Sequence, residues 1–154
     1  MAEGIATRLR ELGFTLPPPP KAVGSYAPVV VEGELAFVSG QIVVENGRTV
    51  HPGLVGRDLT VEAARDLARA ATLQALSALG AALGSIDRIR RIVRVAVYVS
   101  AVEGFDRSSE VADGATDLLI ALFGEEGRPT RVSMAVRALP RDAPVEVELL
   151  AGVR

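Results

Sequence analysis

Apolar residues recur at helical spacing in three stretches of the chain. The longest begins at Thr60, a residue type that caps helices, and runs to about Gly84, where a glycine favours a helix end. A second helix is predicted within residues 105–124, and a short one near residues 5–12. Small side chains let a helix lie close to a sheet, so an alanine row in the long helix predicts packing and needs no ligand to explain it. That row holds Ala64, Ala68, Ala71, Ala75, Ala78 and Ala82.

Alternating apolar and polar residues predict strands between and after these helices. The segment 27–44 has two apolar runs on either side of Glu32–Glu34, which is the pattern of a hairpin. Further strands are predicted at 92–100, 131–137 and 145–151. Helices that are separated from mostly antiparallel strands indicate an α+β fold. We therefore expect a mixed sheet with the two main helices on one face.

Arg131 and Glu148 stand out on the last two strands. Each strand has an apolar side, which we expect to meet the helices, and a polar side, which we expect to turn away. If the intervening loop closes a hairpin, both polar sides share one surface, although register cannot be derived from sequence. An ordinary cross-strand ion pair would explain the two residues. Alternatively, the arginine grips a carboxylate through two parallel hydrogen bonds while the glutamate holds a water or moves a proton.

The composition favours a single domain whose apolar surface is covered by other subunits in an oligomer. A chain of 154 residues is most simply a single domain, 1–154, in which residues 1–20 form a helix and a stiff proline strap. Aromatic residues make up only 4% of the chain, so its core must be built from Val, Leu, Ile and Ala. The mean hydropathy of +0.30, with no apolar run of membrane-spanning length, indicates apolar surface that an oligomer would cover.

Charge and residue counts argue against several classes of function. A formal net charge of -2 makes nucleic acid an unlikely partner, because phosphate binding requires a basic patch. The chain has no cysteine, which removes disulfides, a thiol nucleophile and cysteine-based metal sites. Its one histidine, His51, lies before a proline in a loop and cannot form a metal site alone. The charged N-terminal segment is unlike a signal peptide, so we expect a cytoplasmic protein that binds no membrane.

Several short motifs, taken in order, resemble the RidA/YjgF family, whose members carry the older label of L-PSP endoribonuclease or translation inhibitor. The chain has Gly-x-Tyr after its prolines, Val-Ser-Gly-Gln after the second strand, Arg131, Leu139–Pro140 and Val145–Glu148. It is more similar still to a branch with an N-terminal helix. The resemblance implies a chorismate-mutase-like fold, a homotrimer with clefts between subunits, and hydrolysis of enamines and imines such as 2-aminoacrylate. The products would be a 2-keto acid and ammonia, with no cofactor or metal.

The resemblance also assigns roles to residues. It implies that Arg131 anchors the substrate carboxylate and that Glu148, the second glutamate of Val-Glu-Val-Glu, orients the attacking water. Tyr26 would close the cleft, and the backbone of Gly40 would meet the ligand, with Ser39 beside it. Gly40 could equally serve only to turn the strand. Glu146, on the same side as Glu148, is expected to be structural.

Two positions depart from the family pattern. Ser133 stands where active deaminases often have cysteine, which changes the shape of the pocket. Asp113 is the nearest match to an asparagine often found at the second helix, and an acid there would repel an anionic substrate or select a different one. Two alternatives to a deaminase follow: a non-catalytic trimer that binds small carboxylate-bearing metabolites or a protein, and, less favoured, a ribonuclease.

Overall fold

Three α-helices of very different length occur in the protein, as seen in a computed structural model that describes residues 4–154. Helix α1 spans Ile5–Glu11, α2 spans Val61–Leu83 and α3 spans Ser108–Phe123. Residues 1–3, part of the predicted N-terminal segment, lie outside the described residues. All three helices are where the apolar spacing predicts them.

Helix α2 begins and ends for the reasons that its sequence indicates. The hydroxyl of Thr60 accepts a hydrogen bond from the backbone N–H of Ala63 at 3.1 Å, which satisfies one free donor of the first turn. Gly84 ends the helix with φ 81°, in the left-handed region that glycine adopts without strain. Of the alanine row, Ala64, Ala68, Ala71 and Ala75 are fully buried. These small residues let α2 lie against the sheet and against α3.

Five strands form the main sheet, in the order β1-β2-β7-β5-β6. Strands β5 and β6 pair in parallel, and the other neighbours pair antiparallel. A separate two-stranded ribbon, β3-β4, lies in the loop that precedes α2. The bounds are β1 Val29–Glu32, β2 Leu35–Gln41, β3 Val44–Glu45, β4 Arg48–Thr49, β5 Ile89–Ser100, β6 Thr130–Val136 and β7 Val145–Val153. Short 3-10 turns occupy Ile86–Arg88, Gly124–Gly127 and Pro140–Asp142.

One face of this sheet is covered by helices and the other is open. Val95 and Val97 of β5 are fully buried on the covered face, together with their partners Leu149 and Val147 on β7. The predicted placement of both main helices on one face is therefore confirmed. On the open face, large apolar side chains stay partly exposed: Val30 by 52%, Phe37 by 48% and Met134 by 43%. Apolar surface of this extent on a folded chain usually marks an interface.

The predicted orientation of β6 is wrong. Arg131 pairs with Val95 and Ser133 with Val97, so both face the helices, while Met134 lies on the open face. The loop after β6 does not close a hairpin, because β7 inserts between β2 and β5 and leaves β6 at the sheet edge. None of the residues of β6 is fully buried within its own chain, so its apolar residues do not reveal which side meets the core.

Candidate active site

The carboxylate of Glu146 lies against the backbone of Gly40, where β7 and β2 run side by side. A Cβ atom on residue 40 would lie 2.8 Å from the carboxyl carbon of Glu146, closer than two such carbons can approach. The pairing of β2 with β7 is irregular between Val38 and Gln41, which opens the space that the carboxylate occupies. Gly40 has no positive φ, so the position needs glycine for this close approach and not for a left-handed turn.

A cleft of about 350 Å³ surrounds this contact. Tyr26, half exposed, stands at its border together with the strap residues that follow the prolines. The strap is held in place by α2, since the Ser77 hydroxyl donates to the carbonyl of Pro17 at 2.5 Å. Two cationic side chains, Lys21 and Arg141, also line the cleft. The chain therefore provides an acid and two cations around a space of metabolite size.

Burial raises the pKa of Glu146 above its ordinary value of 4.5, and the negative charge of Glu148 raises it further. Within residues 4–154, neither a cation nor a hydrogen bond offsets these two effects. A carboxyl group in this state holds its proton more tightly than an exposed one, which favours a role in proton transfer.

Glu148, two residues further along the same face, is hydrogen-bonded to other side chains. Arg94 Nη1 donates to its Oε1 at 3.3 Å, and the Tyr98 hydroxyl donates to the same oxygen at 3.2 Å. Burial raises the pKa of Tyr98, and the charge of Glu148 adds to that rise. Glu148 and Arg94 line a second, smaller cavity of about 280 Å³ on the open face, together with Ser39. The Ser39 hydroxyl donates to the carbonyl of Ala27 at 2.7 Å.

Arg131 is held by one side of helix α3. Its Nη1 donates to Asp113 Oδ1 at 2.7 Å and to Thr116 Oγ1 at 3.0 Å, and its Nη2 donates to Ser109 Oγ at 2.7 Å. The three partners are four and three residues apart in sequence, which places them on one face of a helix. The Arg131 side chain is 23% exposed and lies at the open edge of the sheet.

The structure brings together some of the residues that were expected to form one site. Tyr26 and Gly40 both line the larger cleft, whereas Ser39 and Glu148 line the neighbouring cavity. Arg131 and Ser133 lie on the side of β6 that faces the helices, and Asp113 lies on α3. Within one chain, Arg131 and Glu148 lie on opposite faces of the sheet with β5 between their strands.

Sequence reasoning did not distinguish the surroundings of Glu146 from those of Glu148, and it overlooked two partners of Arg131. Alternation places Glu146 on the face of Glu148, but only the bulge beside Gly40 distinguishes the surroundings of the two carboxylates. Ser109 and Thr116 carried a usable signal, since both lie at helical spacing from Asp113.

Comparison with known proteins identifies the family. A family model described as "YjgF/chorismate_mutase-like, putative endoribonuclease" matches residues 6–153. The chain belongs to the YjgF/RidA family. Protein TCP17 of Trypanosoma cruzi is 39% identical over 147 residues, which cover 95% of this chain and 92% of that protein.

Solved structures of YjgF/RidA proteins show the same fold. A Shewanella oneidensis "putative endoribonuclease" superimposes with a TM-score of 0.93 at 31% identity, covering 98% of this chain and all of that one. Escherichia coli TdcF, crystallised with bound serine, superimposes with a TM-score of 0.59 at 26% identity, covering 88% of this chain and 93% of that one. The expected chorismate-mutase-like fold is thus confirmed.

Among residues 4–154 of this YjgF/RidA protein, no three His, Cys, Asp or Glu side chains are grouped as metal ligands would be. None of the helices described has the length and apolar character needed to cross a bilayer. The cytoplasmic location stays a prediction.

Proposed function

We propose that this YjgF/RidA protein hydrolyses reactive enamines and imines of small 2-amino acids to 2-keto acids and ammonia, without a cofactor. The observation that carries the proposal is the Glu146 carboxylate, half-buried against Gly40 in a cleft of metabolite size with a raised pKa. Such a group can take a proton from water and return it to a leaving nitrogen. We therefore assign to Glu146 the role that the family resemblance suggested for Glu148.

The reaction needs little beyond positioning and one proton carrier. The enamine first tautomerises to an imine, whose carbon is electrophilic. Water then adds to that carbon while Glu146 accepts one of its protons. Glu146 returns that proton to the nitrogen, which gives a carbinolamine. The Glu146 carboxylate then accepts the hydroxyl proton and passes it to the nitrogen as the C–N bond breaks, so that the carbonyl of the keto acid forms and ammonia leaves. Holding water and imine together supplies several kcal/mol of the barrier reduction without a nucleophile.

The substrate carboxylate would be bound by Arg131 of a second copy of the chain. Arg131 and Glu146 lie on opposite faces of one sheet, so a single chain cannot present both to one small molecule. Val30, Phe37 and Met134 leave apolar surface exposed on the open face, which suits burial by another subunit. The relative TdcF was crystallised with serine, a small amino acid that carries a carboxylate. A homotrimer with clefts between subunits meets these requirements.

Ammonia release from 2-aminoacrylate, generated in the assay by a serine dehydratase, tests the reaction. We expect the wild-type protein to accelerate release above the uncatalysed rate, and Glu146→Gln and Arg131→Ala to lose most of that acceleration. Asp66→Asn is a suitable control, because Asp66 lies on α2 and pairs with Arg69. A wild-type rate equal to the background would refute the proposal for this substrate.

Co-expression of two inactive variants tests whether the site spans two subunits. Differently tagged Arg131→Ala and Glu146→Gln chains, purified as mixed assemblies, would each supply the residue that the other lacks. Each mixed trimer has one of its three interfaces in the restoring orientation, so about one third of the sites would regain both residues. Co-expression of two differently tagged Arg131→Ala chains controls for the tags. Mixed assemblies as inactive as their parents would exclude an intersubunit site built from these two residues.

A ribonuclease is the alternative, because the family to which the chain belongs is described as a "putative endoribonuclease". On the open face, Arg94 is already paired with Glu148, and the formal net charge is -2, which leaves little attraction for phosphates. Incubation with single-stranded RNA at low salt would separate the two proposals, since we expect intact RNA. A protein that binds keto acids but releases no ammonia would instead be the non-catalytic binding module.

A further inference from the structure

Arg131 already has an anionic partner within its own chain. Asp113 Oδ1 lies 2.7 Å from Nη1, and the hydroxyls of Thr116 and Ser109 accept two more hydrogen bonds from the same guanidinium. Both hydrogens of Nη1 and one of Nη2 are therefore in use. Among residues 4–154, no partner takes the Nε–H or the second Nη2 hydrogen, so these two can bind a ligand.

This arrangement holds the guanidinium in place and also cancels its charge. Three contacts from one helix restrict the long side chain, so little rotational freedom remains to be lost when a ligand binds. Paired with Asp113, however, Arg131 offers an incoming anion almost no net positive charge. A ligand carboxylate on the remaining donors would lie within several Å of the Asp113 carboxylate and would be repelled by it.

We propose that Asp113 sets the charge preference of the site, making a bare carboxylate a poor ligand and favouring one with a cationic nitrogen beside its carboxylate. The proposal rests on the proposed function, in which Arg131 receives the carboxylate. An iminium or amino acid is zwitterionic, so its nitrogen offsets the repulsion between its carboxylate and Asp113. The 2-keto acid product has lost that nitrogen and keeps only the repulsion. Asp113 thereby promotes release of the product.

Binding measurements without turnover test this preference. Pyruvate, a bare carboxylate, and L-serine, a zwitterion, are titrated into wild type, Asp113→Asn and Asp117→Asn at pH 7. The side-chain oxygen of asparagine can still accept the Nη1 hydrogen bond, so Asp113→Asn removes the charge and keeps Arg131 in position. Asp117 is a matched control, because it also lies on α3 and is exposed, but pairs with Arg65 at 2.6 Å.

We expect Asp113→Asn to tighten pyruvate binding about tenfold, which corresponds to about 1.4 kcal/mol. The affinity of Asp113→Asn for L-serine should increase much less. Asp117→Asn should bind both ligands as tightly as the wild type does. In the double variant Asp113→Asn/Arg131→Gln, the gain for pyruvate should disappear. This double variant shows that the effect acts through Arg131.

Three results would overturn the proposal: equal pyruvate affinity in wild type and Asp113→Asn, equal gains in Asp113→Asn and Asp117→Asn, or no pyruvate binding by any variant. The outcome is separable from the deaminase assay. A wild type that fails to accelerate ammonia release refutes the proposed reaction, yet tighter pyruvate binding by Asp113→Asn would still establish the charge preference.

Discussion

Glu146 and Glu148 lie on the same strand and the same face, but their surroundings differ. Glu148 accepts hydrogen bonds from Arg94 and Tyr98. Glu146 is half-buried against Gly40, and burial together with Glu148 raises its pKa. Glu148 thus belongs to a cluster of paired side chains, whereas the surroundings of Glu146 support the proton exchange that we propose for it.

The difference arises from the neighbouring strands. Glu148 pairs with Ala96, whose small side chain leaves room for Arg94 and Tyr98 to reach the carboxylate from either side. Glu146 pairs with Tyr98 and extends the other way, over the irregular segment of β2 that contains Gly40. The alternation of side chains along β7 gives no difference between the two glutamates. Their surroundings differ because the adjacent strands place different residues beside each of them.

Neutralising Glu146 or Glu148 separately should produce the largest difference in kcat between two variants. We expect Glu146→Gln to lower kcat on the order of 100-fold or more, because a general acid–base group typically contributes at least that much. Glu148→Gln should cost only a few-fold. Steady-state ammonia release measures both. Equal losses, or a larger loss in Glu148→Gln, would return the water-orienting role to Glu148.

Filling the space beside Glu146 should have the next largest effect. The new Cβ of Gly40→Ala would displace the Glu146 carboxylate, and a shift of about 1 Å lowers kcat roughly 10- to 100-fold. The melting temperature should change little, because a flexible side chain can move aside. In the Glu146→Gln background, Gly40→Ala should cost almost nothing more. Additive losses would show that Gly40 acts independently of Glu146.

Breaking the Glu148 cluster should affect stability only slightly. The side chains of Arg94 and Glu148 are 50% and 38% exposed, so solvent weakens their attraction. We expect Glu148→Gln to lower the free energy of unfolding by about 0.2–1 kcal/mol, as for other exposed pairs. Urea denaturation of wild type and variant measures the difference. A cost well above this range would indicate that the cluster supports the fold or the assembly.

The smallest effect concerns the pH dependence of stability. Because folding raises the pKa of Glu146, its contribution to stability is full below the ordinary value of 4.5 and is lost as the pH rises through the folded-state pKa. Glu146→Gln removes this loss. The variant should therefore gain stability relative to wild type between pH 4 and pH 8, as followed by urea denaturation. A constant difference across that range would mean that the pKa of Glu146 is not raised by folding.

Much of the fold could be predicted because its signals are local. The Thr60 cap, the alanine row and Gly84 define helix α2 through contacts between residues close in sequence. Tyr26 and Gly40, which are far in sequence from the last strands, both line the larger cleft. The orientation of β6 could not be predicted, since its pairing with β5 depends on the crossover through α3 and on the insertion of β7.

The sequence by itself determined the helices, the strands, the family and the residue types available for chemistry. Only the tertiary structure decided which of these residues meet: Glu146 with Gly40, Glu148 with Arg94, and Arg131 with Asp113. Secondary structure follows from periodicity within a short segment. The environment of a charged side chain is created by strands and helices that are distant in sequence, and no local pattern specifies their arrangement.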